Sequence, residues 1–367
     1  MILFIGIVIA AGVAYYSLLE KYGALWSGID ETIDYTADES FSVSILIPFR
    51  NEVNNLPKLI QSLENLDFVE HSVEIILVND YSTDGGELVI SEYSGPLDIR
   101  LVHQTKDGGK KAAIRLGWQV CQGDIILQTD ADCEVPVYWL RAMLEVFSDN
   151  IVNLACGPVQ FRHSTNFWKQ IVALDFEALI AIGAAHIQWG KPMICNAANL
   201  GYRKRLIVDV DLNDSAASGD DVFLLQSAFR QSRESIRFVK NNEAIVKTEG
   251  PSSLEVFWNQ RLRWASKNGD YDIKQNTWIL VSLWVYNVLV LCSLLSFTAV
   301  GTTAGAFLVL IKVLAEDAFY SKFAPFFDRK LWFTNILLGQ TFHIVYMAIL
   351  PPLSQVLKYK WKGRKLR

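Results

Sequence analysis

Three stretches without charged residues limit how this chain can fold more than any other feature. Residues 1–19, 275–311 and 331–357 contain no Asp, Glu, Lys or Arg. About 20 apolar residues in a helix, rising about 1.5 Å each, cross the hydrocarbon core of a bilayer. The mean hydropathy of +0.20 agrees, because a positive value is unusual for a soluble chain. The pattern predicts a membrane protein with a water-soluble middle region.

The first stretch predicts a membrane anchor. Residues 1–19 (MILFIGIVIAAGVAYYSLL) lack the basic start of a secretory signal, and the apolar run is about long enough to span a bilayer. We interpret it as an uncleaved anchor, with a cleaved signal as the alternative. The acidic segment 20–40 is then the linker to the next domain.

The C-terminal stretches predict further membrane helices within residues 275–357. Residues 275–311 are too long for one span, and Gly301-Thr302-Thr303 predicts a break between helices 277–299 and 303–320. The last stretch, 331–357, contains Pro351-Pro352. All of these blocks are candidates for transmembrane or re-entrant helices.

The strongly basic segment 358–367 is expected to be a cytoplasmic tail. One N-terminal span places the middle region in the cytoplasm, but three further spans place this tail outside. We therefore predict that one C-terminal block is re-entrant or lies in the interface. The charged 303–320 block and the Pro-Pro block are both candidates.

The middle region, residues 41–270, alternates strands with helices. Short β-branched apolar runs predict strands, and longer mixed segments predict helices. The predicted strands are 42–48, 73–78, 99–103 and 124–128, and the clearest predicted helices are 54–66 and 110–120. Such alternation predicts a parallel α/β sheet covered on both faces, with ligands bound beyond the carboxyl ends of its strands.

Composition and missing motifs exclude several classes of protein. The net charge of -5 gives no support to nucleic-acid binding. The five cysteines contain no CxxC pair, which argues against a disulfide framework and a zinc site. Neither Gly-x-Gly-x-x-Gly nor GxxxxGK[ST] is present, so a nicotinamide dehydrogenase and a P-loop NTPase lose their main support.

Polar residues follow three of the predicted strands: Arg50-Asn51-Glu52, Asn79-Asp80 with Asp84, and Asp130-Ala131-Asp132. Asp130 and Asp132 leave one strand two residues apart, and such a carboxylate pair suits Mg²⁺ or Mn²⁺. Lys110 follows two glycines at a helix start, where a phosphate can meet both backbone N–H groups and the ammonium. In isolation, each pattern is more often a capped turn or a solvated lysine.

Two later segments also admit a structural and a chemical interpretation. Asp220-Asp221 at a helix start either caps that helix or supplies a general base. The segment 258–264 (WNQRLRW) is either an interfacial helix or part of an active site.

Taken together and in order, these segments resemble the family 2 glycosyltransferases with a GT-A fold. The resemblance covers roughly residues 40–270 and also extends to the membrane-bound branch, which contains ceramide-glucosyltransferase-like enzymes and processive polysaccharide synthases. The matching segments are SILIPFRNE (44–52), EIILVNDYSTDG (74–85), GKKAAI (109–114), ILQTDADCEVP (126–136), SGDDVFLL (218–225) and QRLRW (260–264).

The resemblance implies a role for each matching residue. Asn51, Glu52 and Asp80 would hold the nucleotide, and Lys110 would approach the diphosphate. Asp130 and Asp132 would bind a divalent metal, Mg²⁺ or Mn²⁺, and Asp132 would be the more direct ligand. Asp221 would be the catalytic base, beside Asp220 in place of the family's usual Glu. The diphosphate and acceptor side would be formed by Asp220, Gln260, Arg263 and Trp264.

The implied protein is a membrane-bound, inverting hexosyltransferase. It would use a nucleotide-sugar, with a UDP-sugar as the expected donor, and a lipid or polysaccharide acceptor in cell-envelope glycan biosynthesis. Its catalytic domain would face the cytoplasm at the inner or plasma membrane. The alternatives are a processive polysaccharide synthase and a catalytically inactive nucleotide-sugar-binding protein. The donor sugar, the linkage and the oligomeric state stay open.

Overall fold

The computed structural model describes residues 1–31, 40–68, 71–212, 219–266, 274–330 and 333–357, and the backbone of 359–361 and 364–366. The chain forms two compact units. The sheet unit comprises Ile29–Arg162 and Ile187–Gly250, and the helical unit comprises Met1–Gly28, His163–His186 and Pro251–Arg367.

The α-helices are distributed between both units. They are α1 (Ile2–Ser27), α2 (Leu56–Glu64), α3 (Gly86–Ser91), α4 (Gly109–Val120), α5 (Trp139–Leu144), α6 (Phe167–Gln188), α7 (Asp220–Gln231), α8 (Leu254–Ala265), α9 (Lys274–Leu294), α10 (Ala299–Phe323) and α11 (Phe333–Ser354). Short 3₁₀ helices cover Glu145–Ser148, Lys204–Asp209, Arg233–Ser235, Asn242–Ala244 and Ala324–Phe327.

The strands are short after the first two. They are β1 (Ser42–Phe49), β2 (Ser72–Asn79), β3 (Ile99–His103), β4 (Ile125–Gln128), β5 (Cys133–Glu134), β6 (Leu154–Cys156), β7 (Val159–Phe161), β8 (Leu200–Arg203), β9 (Ile236–Phe238), β10 (Val246–Thr248), β11 (Tyr359–Trp361) and β12 (Arg364–Leu366).

The sheet unit is built on a seven-stranded sheet in the order β3-β2-β1-β4-β8-β6-β9. The first four strands in the chain, β1 to β4, are parallel to one another. Their positions agree with the predicted strands to within one residue at each end. Ile45, Leu46 and Leu77 are completely buried, as expected for strands covered on both faces. The α/β fold class is therefore confirmed.

The prediction of an all-parallel sheet is wrong at β8. This strand runs antiparallel to both of its neighbours, β4 and β6. Its Gly201 is required by packing, because an added Cβ would lie 2.8 Å from Leu127 Cδ2 and 3.1 Å from Phe147 Cε2. The sheet is consequently mixed.

A second, three-stranded sheet has the order β5-β10-β7. β10 pairs antiparallel with β5 and parallel with β7. Because β5 begins directly after Asp132, this pairing fixes the loop between β4 and β5. The hydroxyl of Thr248 on β10 also donates to the backbone oxygen of Asp132, at 3.5 Å.

Among the residues that the structure describes, five helices are long and apolar enough to cross a membrane. They are Ile2–Ser27, Phe167–Gln188, Asn276–Leu294, Ala299–Phe327 and Phe333–Ser354. The first and the last three correspond to the predicted anchor and C-terminal helices. Helix α6 was missed, because Lys169, Asp175 and Glu177 interrupt its apolar sequence. Both α6 and α8 group with the helical unit and not with the predicted 41–270 domain.

Two predicted boundaries differ from the structure. Helix α1 continues to Ser27, so the first part of the predicted 20–40 linker is helical, while 32–39 lie outside the described residues. The predicted break at Gly301-Thr302-Thr303 is wrong, because α9 ends at Leu294 and α10 begins at Ala299. Thr298 caps α10 by accepting a hydrogen bond from the Gly301 N–H at 3.1 Å, which draws the glycine into the first turn.

Candidate active site

Asn51 joins the loops that follow β1 and β2. Its φ of +53° is in the left-handed region, where asparagine is one of the better tolerated residues. Its side-chain oxygen accepts a hydrogen bond from the Thr83 N–H at 2.8 Å, and its own N–H donates to the Ser82 hydroxyl at 3.1 Å. The neighbouring Glu52 is buried and accepts from the Asn55 amide at 2.6 Å. The two loops are thereby held together.

Asp80 ties the end of β2 to the loop before α4. Its buried carboxylate accepts hydrogen bonds from the Gly109 N–H at 3.0 Å and the Gln104 amide at 3.1 Å. The Arg50 guanidinium donates to the Asp80 backbone oxygen at 2.7 Å and to Asp107 at 3.2 Å. These bonds position the first turn of α4, which carries Lys110.

Lys110 brings three elements of the sheet unit together. Its Nζ donates to Asp130 Oδ1 at 2.6 Å and lies 3.8 Å from Asp220 Oδ2. Burial lowers the pKa of Lys110, but the carboxylates of Asp130 and Asp220 more than offset this effect and raise the pKa above its ordinary value. Lys110 is therefore a charged ammonium between the end of β4 and the start of α7.

The carboxylates at the start of α7 differ in their partners. Asp221 Oδ1 accepts from the Val222 N–H at 2.9 Å, and its backbone oxygen accepts from the Cys195 thiol at 3.3 Å. Asp220 is buried, and its Oδ2 accepts no hydrogen bond. This oxygen therefore has unused hydrogen-bonding capacity 3.8 Å from the Lys110 ammonium.

Asp130 and Asp132 can bind a hard divalent cation only if a bound molecule supplies further oxygen atoms. No group of three or more His, Cys, Asp or Glu side chains that could hold a metal occurs within the described ranges. Asp130 and Asp132 offer two carboxylates, and Mg²⁺ in particular is often bound by one or two carboxylates together with substrate phosphates. Burial raises the pKa of the Cys133 thiol, so this neighbour of Asp132 stays protonated and does not compete as a soft ligand.

The remaining predicted site residues lie on α8 in the helical unit. The Ser253 hydroxyl caps this helix by accepting from the Val256 N–H at 3.2 Å. Gln260 Oε1 is buried without a hydrogen-bond partner, Arg263 is half-buried, and the Trp264 ring lies 5.9 Å from the Phe176 ring. The other eight predicted residues, from Asn51 to Asp221, belong to the sheet unit.

One residue between these, Arg261, was missed from the sequence. It is buried, forms an ion pair with Asp175 on α6, and lies over the rings of Phe257 and Trp264 at 5.0 and 4.7 Å. The resemblance assigns roles to Gln260, Arg263 and Trp264 and none to Arg261. The available signal was Asp175, a carboxylate inside an otherwise apolar helix, which requires a partner.

Comparison with known proteins identifies the family. Residues 44–210 match the model of glycosyl transferase family 2. Over 237 residues the chain is 27% identical to a probable glycosyltransferase, YdaM, of Bacillus subtilis, covering 62% of this chain and 55% of that protein. It is 26% identical over 258 residues to a beta-monoglucosyldiacylglycerol synthase of Nostoc sp., covering 65% and 51%. The chain thus spans about half the length of these curated relatives.

A solved structure shows the same fold. The mannosyltransferase PcManGT from Pyrobaculum calidifontis, in complex with GDP-Man and Mn²⁺, superposes with a TM-score of 0.57 at 15% identity, over 97% of this chain and 96% of that one. At this identity the likeness concerns the fold alone. Together with the family match, it shows that residues 44–210 belong to a GT-A domain of glycosyl transferase family 2, a family of transferase enzymes.

Proposed function

We propose that the protein is a membrane-bound glycosyltransferase that transfers a sugar, with inversion, from a nucleotide-sugar to a lipid or polysaccharide acceptor. The observation that carries the proposal is the convergence of Lys110, Asp130 and Asp220 beyond the carboxyl ends of parallel strands. This edge is where α/β sheets bind ligands. A paired cation there, with two carboxylates nearby, suits a diphosphate.

In this proposal, one group of residues binds the sugar donor and another acts on the acceptor. Asn51, Glu52 and Asp80 bind the nucleoside, and the Lys110 ammonium binds the diphosphate. Asp221 takes the proton from the acceptor hydroxyl, whose oxygen then attacks the anomeric carbon as the bond to the nucleoside diphosphate breaks. Gln260, Arg263 and Trp264 act on the diphosphate and acceptor side. Inversion follows because this is a single displacement.

Asp130 and Asp132 would hold a divalent cation, Mg²⁺ or Mn²⁺, together with the donor diphosphate. Such a cation, when bound, neutralises the negative charge of the leaving nucleoside diphosphate. The solved neighbour of the same fold carries Mn²⁺ and GDP-Man, which supports a metal and a nucleotide-sugar here. A UDP-sugar is our first choice of donor.

Membrane location supports a lipid acceptor. Within the described part of the chain five helices are suited to crossing a bilayer, and one relative is a synthase of a glucosylated diacylglycerol. An acceptor held in the bilayer presents its hydroxyl at the headgroup plane. We place the sheet unit on the cytoplasmic side, where nucleotide-sugars are made.

The test is Asp221→Asn in the full chain, with Asp98→Asn, an exposed carboxylate, as the matched control. We expect sugar transfer to fall at least about a hundredfold, since general-base catalysis contributes about 10²–10⁴-fold. Donor affinity should stay within about threefold, because Asp221 does not hold the donor. Transfer is measured over a panel of UDP- and GDP-sugars with Mg²⁺ or Mn²⁺. Full turnover by Asp221→Asn would exclude Asp221 as the base.

A further inference from the structure

The helical unit contains a buried polar cluster among apolar helices. At its centre the Glu316 carboxylate, on α10, accepts hydrogen bonds from the Tyr15 hydroxyl at 2.7 Å and the Tyr320 hydroxyl at 3.0 Å. Lys312 and the Gln340 amide nitrogen also donate to Glu316. All four donors are therefore engaged on one carboxylate.

Asp175 on α6 forms the second centre of the cluster. The Tyr346 hydroxyl donates to Asp175 Oδ1 at 2.7 Å, and Arg261 is its ionic partner. His343 Nε2 lies 3.8 Å from the same oxygen. Each cation in this cluster thus has its own carboxylate: Lys312 with Glu316, and Arg261 with Asp175.

A cavity of about 20 Å³ lies against this cluster. Its polar wall includes Asp175, Tyr320, Gln340 and His343, and the rest of the wall is largely apolar, with Phe257, Ile336 and Phe342. A volume of roughly 10–15 Å³ on this measure admits one water-sized group. The cavity therefore receives one oxygen-sized group and not the four oxygens of a phosphate.

Two buried atoms in the cavity wall have no hydrogen-bond partner and can each accept a hydrogen bond. Gln340 is 3% exposed, and its Oε1 accepts no hydrogen bond. His343 Nδ1 is also buried without a partner, and it accepts when the ring proton is on Nε2. The hydroxyls of Tyr320 and Tyr346 are already donated to carboxylates. A group that enters this cavity and donates a hydrogen bond would satisfy the buried Gln340 Oε1.

We propose that this cavity binds the hydroxyl group of an uncharged amphiphilic alcohol, with the hydrocarbon part against the apolar helices. A phosphate group fits this cavity poorly, because it is larger than the cavity and because the unpartnered wall atoms Gln340 Oε1 and His343 Nδ1 are acceptors. The identification of this alcohol as the sugar acceptor rests on the proposed function. The binding itself does not.

The experiment compares two probes with the same acyl chains: 1,2-dioctanoylglycerol, which has the hydroxyl, and dioctanoyl phosphatidic acid, which has a phosphate in its place. Dissociation constants are measured on the full chain in nanodiscs. We expect the alcohol to bind at least tenfold more tightly. Gln340→Met, which keeps the volume and removes both the acceptor and the bond to Glu316, should weaken alcohol binding about fivefold, the effect of one hydrogen bond. Asn287→Leu, a buried polar residue on α9 outside the cavity wall, should leave it unchanged.

Equal or tighter binding of the phosphate ester would overturn the proposal, and so would a folded Gln340→Met protein that binds the alcohol like the parent. If Gln340→Met does not fold, the two probes on the unchanged chain decide alone. Alcohol binding without any sugar transfer would contradict the proposed function and leave this site standing. Sugar transfer to a lipid without alcohol binding would contradict this site only.

Discussion

Lys110 and Lys111 are adjacent in the chain but have different surroundings. Lys110 Nζ donates to Asp130 at 2.6 Å, whereas Lys111 Nζ lies 4.6 Å from the centre of the Phe223 ring. Lys110→Met should weaken donor binding by about 1.5–3 kcal/mol, the usual contribution of a hydrogen bond to a charged group, which is about ten- to 150-fold in Kd. Titration of the nucleotide-sugar by calorimetry measures this change.

Lys111→Met is the matched control. Lys111 is 7% exposed and packs on an aromatic ring, so its replacement should lower the unfolding temperature and change donor affinity less than threefold. Equal losses of donor affinity in both variants would mean that the helix start, and not the Lys110 ammonium, binds the diphosphate.

The position of a single residue in the fold can be predicted when the adjacent sequence determines it. Asp80 follows β2 directly and Asp130 follows β4 after one residue, so their position at the sheet edge follows from the strand positions. The Asp175–Arg261 pair was not predictable, because 86 residues separate its members and the pairing depends on how α6 packs on α8. The roles assigned to the site residues stay predictions.

At the scale of elements, a buried ion pair connects α6 to the segment after α10. Arg329 Nε donates to both oxygens of Glu177 at 2.8 and 3.0 Å, and the Glu177 side chain is fully buried. Arg329→Met removes the guanidinium that pairs with this buried carboxylate and should lower the unfolding free energy by about 3–5 kcal/mol. Denaturant unfolding in detergent measures the change.

The double variant Glu177→Leu with Arg329→Met separates loss of pairing from loss of packing. It should be more stable than Arg329→Met alone, because the uncompensated charge is gone. As a control, Arg237→Met breaks the exposed 3.7 Å pair with Asp149 and should cost no more than about 1 kcal/mol. A double variant as unstable as Arg329→Met would show that the guanidinium acts by packing.

Elements were predictable when their own sequence is strongly patterned. β1 and β2 are continuous apolar runs, and both were found. β8 has only four residues, and its antiparallel position is determined by distant partners, β4 and β6. The break before α10 was misplaced because glycine and threonine were interpreted as a turn, whereas the Thr298 cap makes them the start of a helix.

At the scale of the whole molecule, sheet pairing limits how the chain can cross a membrane. β6 and β8 pair directly, with Leu154 opposite Tyr202, and α6 lies between them in the chain. If α6 crossed the bilayer once, these strands would be on opposite sides, so α6 is not a single crossing. Helices α1, α9, α10 and α11 stay as candidate spans. The charged residues Lys312 and Glu316 are the main argument against α10 as a membrane span, and they form an ion pair with each other.

The number of crossings after the sheet unit decides where the tail lies. Three crossings by α9, α10 and α11 would put the basic residues 358–367 opposite the sheet unit, whereas positively charged tails favour the cytoplasm. We expect both on the cytoplasmic side, with one of these helices not crossing. Ser91→Cys, at an exposed site, and Lys365→Cys, in a background with the five native cysteines replaced by Ala, should react with an impermeant maleimide in inside-out vesicles and only after permeabilisation in intact cells. Labelling of Lys365→Cys but not Ser91→Cys in intact cells would contradict this expectation, because only an odd number of crossings, one or three, separates the two sites.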